Sequence, residues 1–215
     1  MPHTWDPTSV APADALTRLV EGNRRFLAGR STNDTRTFRP ELAVRSQTPF
    51  AIVLGCSDSR TPIEILFDQG FGDLFVVRVA GNVVAPSIVG SIEFAASLFG
   101  TRLVVVLGHT QCGAIDATVS ALRTGDGHAS RNIRSITNRI VPHIEEMVHA
   151  AAGPADETLL REAMRTNVRA SADHLRHGSQ LLEELVLAGR LAVVGAEYEL
   201  ETGLVHFLEG LPQPQ

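Results

Sequence analysis

Lysine is absent from this 215-residue chain: all 19 basic side chains are arginine, scattered among 24 acidic residues for a net charge of -5. Without a basic cluster, the chain lacks the electrostatic footprint of a nucleic-acid binder. Long apolar runs are missing too, and a membrane-spanning helix needs about 18 such residues. The opening "MPHTWDPTSVAPADALTR" has no basic start followed by an apolar stretch, so no secretory signal and a cytoplasmic location are expected. Cysteine occurs only at Cys56 and Cys112. In a reducing compartment such a pair points to metal ligation or thiol chemistry rather than a disulfide. The two cysteines do not form a C-x-x-C redox motif, and neither a Walker loop nor a G-x-G-x-x-G fingerprint follows any apolar run.

What is present is an ordinary globular composition, 44% hydrophobic and 20% charged, at a length that one domain over 1–215 accommodates. Residues 12–28 place Leu16, Leu19, Val20, Asn23, Phe26 and Leu27 at helical spacing, with Pro12 near the start and Gly29 as a stop. Residues 30–48 are polar and turn-rich, and read as an arm over a surface, its own or a partner's. The core is expected over 50–208. Short β-branched runs at 50–55, 74–79, 103–108 and 191–196 fit strands buried on both faces. The segments "PIEILFDQ" and "SIVGSIEFAASLFG" between the first three have helical spacing. Residues 114–189 are expected to be mostly helical, with breaks near "TGDGHAS", at Pro142, at "AAGPAD" and at "HGS". The tail around Thr202-Gly203 suggests a short hairpin at one sheet edge. The fold class is therefore α/β: a four-stranded parallel sheet of order 2-1-3-4, an antiparallel edge hairpin, and helices on both faces.

"GCSDSR" at 55–60 follows the first buried run and "GHTQCG" at 108–113 follows the third. In an open sheet of this order those two strands are neighbours and their following connections diverge, which is where ligands bind. Cys56, His109 and Cys112 can then converge, and two thiolates with one imidazole are a zinc ligand set with one position open. The plainer reading is a small core cysteine and a hydrogen-bonding turn histidine. A phosphatase-type thiolate loop would need arginine at 62, where Pro62 stands. Asp58 is a further candidate ligand: bound to the metal it closes the site, and drawn away by Arg60 it leaves room for water.

"CSDSR" followed by "HTQCG", with "EGNRRF" near the start and "FVVRVAGN" and "SIEFA" between, resembles the β-class carbonic anhydrases, in their plant-like branch, from about residue 14 to about residue 208. The resemblance implies zinc on Cys56, His109 and Cys112, with Asp58 and Arg60 as a catalytic dyad. It also implies a homodimer or homotetramer with active sites at the subunit boundary and the N-terminal helix packed over the neighbour. Gln47 matches a substrate-binding glutamine; Phe75, Ala80, Phe94 and Gly113 match a narrow apolar pocket. Ala80 and Phe94 stand where Val and Tyr are usual. The implied reaction is reversible hydration of carbon dioxide to bicarbonate by zinc-hydroxide attack. Hydrolysis of carbonyl sulfide or carbon disulfide on the same scaffold is the alternative.

Overall fold

Apolar runs with no alternating polar residue leave no face for water, and they become strands covered on both sides. In the computed structural model, which describes residues 10–33, 40–44, 46–125 and 130–212, these are β1 (Ala51–Gly55), β2 (Leu74–Arg78), β3 (Leu103–His109) and β4 (Ala192–Tyr198). β1 and β3 are buried at every residue. The four are parallel, and β5 (Val205–Glu209) adds antiparallel to β4 in a sheet of order β2-β1-β3-β4-β5. The expected hairpin is thus the end of β4 turning into β5, with Tyr198 opposite Val205.

Seven α-helices are present among the described residues: α1 (Pro12–Leu27), α2 (Ile63–Leu66), α3 (Pro86–Leu98), α4 (Gly113–Thr124), α5 (Arg131–Ala150), α6 (Glu157–His177) and α7 (Gln180–Leu187). The period-two alternation of the strands sends Ile52, Leu54, Val104, Val106 and Val193 to the face covered by α3–α7. Val53, Val105, Leu107 and Val194 meet α1 and α2 on the other. None of these helices is long and apolar enough to cross a membrane.

Two expectations are corrected. "PIEILFDQ" forms only the single turn α2, because Asp68 takes a left-handed backbone (φ 45°) and turns the chain out of the helix. Pro142 does not break α5, which runs through it. An interior proline costs about 3 kcal/mol; here Ile140, Ile144 and Val148 bury one continuous stripe across it and offset that cost. Residues 34–39 and 45 of the 30–48 arm and 126–129 of the "TGDGHAS" break lie outside the described residues; the arm's Pro40–Val44 form a 3-10 turn, and α4 ends at Gly125 (φ 67°) as the break predicts.

The buried side of α1 lies on its own sheet through Ala15 and Leu19. A Cβ on Gly22 would stand 1.7 Å from the Phe67 carbonyl oxygen, so only glycine lets the helix pass the end of α2. Asn23 donates to the Leu66 and Gly203 carbonyls and accepts from the Val205 amide, tying α1 to α2 and to the β4–β5 turn. Beside it, Asp68 accepts hydrogen bonds from the Ser31 hydroxyl, Arg25 and the Thr32 and Asn33 amides, clasping the start of the arm to α2. Burial works to raise the Asp68 pKa, but these donors outweigh it and hold the carboxyl well below the usual carboxylate range.

A carboxyl with a depressed native pKa stabilises the fold above its unfolded pKa, and that contribution fades as pH falls. Urea unfolding of the wild type and Asp68→Asn should therefore differ most above about pH 5 and converge toward acid. A gap that does not change with pH would contradict this role.

Candidate metal centre

Parallel pairing fixes where the two motifs end. Gly55 on β1 lies beside Leu107 on β3, so the strands deliver Cys56 and His109 to the same edge of the sheet. A turn follows β3, with Gln111 at φ 56°, and brings Cys112 back as the residue that caps α4. The Cys56 Sγ, His109 nitrogen and Cys112 Sγ atoms all lie within 4.8 Å of one another, and all three residues are buried. The two sulfurs are 4.0 Å apart, and both cysteines are free thiols.

His109 Nδ1 lies 2.9 Å from the Thr110 carbonyl, which only accepts, so Nδ1 carries the proton. That leaves Nε2 with its lone pair toward the thiols, buried and without a hydrogen-bond partner among the described residues. A buried lone pair facing two thiols is costly for a structural histidine but is the arrangement a metal ligand requires. The sulfurs compete for one proton: the hydrogen bond from the Cys112 thiol lowers the Cys56 pKa, and the same bond together with burial raises that of Cys112. The cluster can therefore hold a metal ion once that proton leaves.

Asp58 stands outside this trio, its Oδ2 4.0 Å from His109 Nε2. Arg60 grips it with two prongs, Nε to Oδ1 at 2.9 Å and Nη2 to Oδ2 at 2.7 Å, and adds its own backbone N–H. These bonds keep the Asp58 carboxyl well below the usual carboxylate range. Arg60 is in turn oriented by the Gln111 carbonyl at 3.1 Å. The left-handed turn at Gln111 thus serves both motifs: it returns Cys112 to the cluster and aims a carbonyl at Arg60.

Several supporting residues escaped the motif reading. Arg78, closing β2, donates to the Cys56 carbonyl at 2.9 Å and the Asp58 carbonyl at 2.6 Å. Its signal was a cation at the end of a buried run. The Gly81 amide donates to Cys56 Sγ at 3.3 Å. Gly81 has φ 67°, and a Cβ there would crowd Ala114 and Ile140 at 3.0 and 3.1 Å. Asn167 on α6, buried, donates to the Gly81 carbonyl at 2.8 Å and so anchors the peptide that follows the sulfur-facing amide, on the other side of the Gly81 Cα. Its signal was an amide on the apolar face formed by Met164, Val168 and Ala172.

The expected pocket residues divide. Ala80 precedes the Gly81 amide and Gly113 follows Cys112, so both adjoin the cluster. Gln47, Phe75 and Phe94 do not. Gln47 is exposed and precedes β1, a strand whose five residues span about 17 Å before Cys56 is reached. Phe75 pairs with Ile52 near the start of β1. Phe94 is 50% exposed on the second half of α3, and both rings pack against Phe99 (centroids 5.6 and 6.2 Å). Phe99 shares a cavity with Thr48, Pro49 and Phe50 at that same far edge.

Replacing Asn167 by Leu removes the anchor of the Gly81 carbonyl, leaves that buried carbonyl unpaired and frees the residue whose amide donates to Cys56. Metal affinity, measured by chelator competition, should fall about 10–100-fold, the range for lost outer-shell bonds. Unchanged affinity in a folded Asn167→Leu variant would make the residue a packing element only.

Comparison with known proteins agrees with this geometry. The family model described as carbonic anhydrase matches residues 51–205. Carbonic anhydrase of Mycolicibacterium smegmatis is 40% identical over 90% of this chain and 92% of its own length. Carbonic anhydrase 2 of Mycobacterium tuberculosis is 37% identical over 89% and 90%. The β-carbonic anhydrase CafA of Aspergillus fumigatus superposes with a TM-score of 0.70 at 25% identity, covering 80% of each chain. With the sheet order, the Cys-His-Cys trio and the matched span in agreement, this chain belongs to the β-class carbonic anhydrase family, enzymes of the lyase class.

Proposed function

We propose that the chain is a zinc enzyme that reversibly hydrates carbon dioxide to bicarbonate, acting in the reducing cytoplasm where Cys56 and Cys112 stay as thiols. The observation that carries the reading is the buried Cys56–His109–Cys112 trio with Asp58 beside it and held off by Arg60. The donor set suits zinc: bonds of about 2.3 Å put two tetrahedral sulfurs roughly 3.8 Å apart, against 4.0 Å here. The unpartnered His109 Nε2 supplies the third ligand. Bound there, zinc supplies a water acidic enough to react near neutral pH.

The remaining work falls to the protein. Asp58, kept ionised by Arg60, accepts a hydrogen bond from the attacking water and fixes the lone pair that meets the carbon. Arg60 holds that carboxylate by charged hydrogen bonds, each contributing on the order of 1.5–3 kcal/mol, and its hold favours an open fourth metal position. A glutamine amide placed at the substrate stabilises the charge that develops on oxygen. Ala80 and Gly113 form the near wall of a dry pocket.

The far position of Gln47, Phe75 and Phe94 supports a site completed by a second copy of the chain. Phe75 and Phe94 both pack on Phe99, which shares a cavity with Thr48, the residue after Gln47, at the opposite end of β1 from Cys56. A two-fold dimer brings that end of one copy to the metal end of the other, so each copy contributes to both sites. The exposed Phe94 and Leu98 on α3 supply apolar area for such a contact. In this reading Gln47, Phe75 and Phe94 serve the partner's carbon dioxide, in a homodimer or a homotetramer built from it.

Stopped-flow hydration on zinc-loaded protein tests the proposal. Turnover should rise with pH, and Asp58→Ala should lose about 10²–10³-fold with its zinc content unchanged. Loss of zinc from Asp58→Ala would instead make Asp58 a ligand. A zinc-loaded wild type that is silent with carbon dioxide but turns over carbonyl sulfide would overturn the substrate.

A further inference from the structure

On α6, the buried face that carries Asn167 has a second polar residue, Ser171, 6% exposed. Asn167 is satisfied by the Gly81 carbonyl, whereas the Ser171 hydroxyl has no hydrogen-bond partner among the described residues. Ser171 lines a cleft of about 600 Å³ between α3, α5 and α6, within the 300–1,000 Å³ typical of small-molecule sites. The cleft is distinct from the metal trio, none of whose residues lines it.

Its polar groups are mainly donors. Arg139 and His143 project one turn apart from α5, and His174 lies one turn beyond Ser171 on α6. The N-terminus of α3 opens into the same space through Ala85 and Pro86. Ala85 provides no side-chain cap and the first turn has no acidic residue, so the positive end of this 13-residue helix is not neutralised locally. Arg139 uses one N–H on the Ser135 carbonyl and keeps the rest of its fork for a ligand. The acid in the lining, Glu93, accepts from the Ser179 hydroxyl at 2.5 Å, which draws on part of its charge. Val84 and Val89 give the cleft an apolar wall.

We propose that this cleft is a binding site for a phosphate monoester. The phosphoryl group is received by Arg139, His143, His174 and the Ser171 hydroxyl at the N-terminus of α3, and the organic body lies along Val84 and Val89. A guanidinium, two imidazoles, a hydroxyl and a helix N-terminus converge as donors on several acceptor oxygens, which a phosphoryl group presents and a single carboxylate matches less fully. The volume exceeds what inorganic phosphate alone fills, so the ester carries more contact than the free ion.

Imidazole C–H resonances report binding without any use of turnover. Inorganic phosphate and then glycerol 3-phosphate are titrated into the folded protein at constant ionic strength, with His143→Gln and His174→Gln assigning the two signals. Both signals should shift together and saturate, more tightly with glycerol 3-phosphate, while the exposed His177 and His206 stay still. Arg139→Gln, checked for an unchanged unfolding midpoint, should weaken saturation about tenfold or more. Three outcomes overturn the proposal: shifts shared by all exposed histidines, saturation unaltered in Arg139→Gln, or saturation by acetate but not by either phosphate. Because no step depends on zinc or carbon dioxide, failure here leaves the proposed activity untouched, and failure of that activity leaves this test intact.

Discussion

The pairing of β1 with β3 is the constraint on which the rest of the molecule depends. Two parallel strands in register, with Gly55 beside Leu107, end side by side. Each must then leave the sheet through a turn whose side chains face the same small volume. One turn supplies Cys56, Asp58 and Arg60 and the other supplies His109, Gln111 and Cys112. A slip of one residue in this register would reverse the faces of Ile52, Leu54 and Cys56 and take the thiol out of the cluster. The apolar cover on both faces therefore secures the chemistry as well as the fold.

Around that junction, helices of one face act as a scaffold for peptide groups rather than for reacting side chains. α6 is tied to the sheet through Glu197 on β4, a fully buried carboxylate that meets Arg161 and Arg165 at 2.6 and 2.8 Å. The same helix carries Asn167 to the Gly81 carbonyl, anchoring the residue whose own amide donates to the Cys56 sulfur. Glu197 lies beside Gly108, one residue before His109. Removing one member of a buried ion pair commonly costs 3–5 kcal/mol, which marks this tie as a strong determinant of where α6 rests.

The sheet was legible because buried parallel strands leave an uninterrupted apolar signal, and the trio was legible because each ligand follows such a strand within a few residues. What escaped lay beyond local pattern. Nothing near Ile63 announces that α2 will stop after one turn, since the stop comes from Asp68 answering Arg25, Ser31 and Thr32 across the chain. Pro142 looked like a breaker because proline removes one hydrogen bond; the stripe of Ile140, Ile144 and Val148 that outweighs it is a tertiary fact. Arg78 and Asn167 act on backbone carbonyls, and no side-chain motif encodes that. Gln47, Phe75 and Phe94 matched a family pattern without revealing that their own metal trio stands at the other edge of the sheet.

Mixing two inactive chains tests whether the proposed carbon dioxide site is shared between two copies. Cys56→Ser destroys its own metal trio and keeps Gln47, whereas Gln47→Ala keeps the trio. If Gln47 serves its partner, unfolding and refolding the two together should restore about a quarter of wild-type hydration, because half of the pairs are mixed and each mixed pair holds one intact site. A mixture no more active than the average of its two parents would mean that each site is built within a single chain.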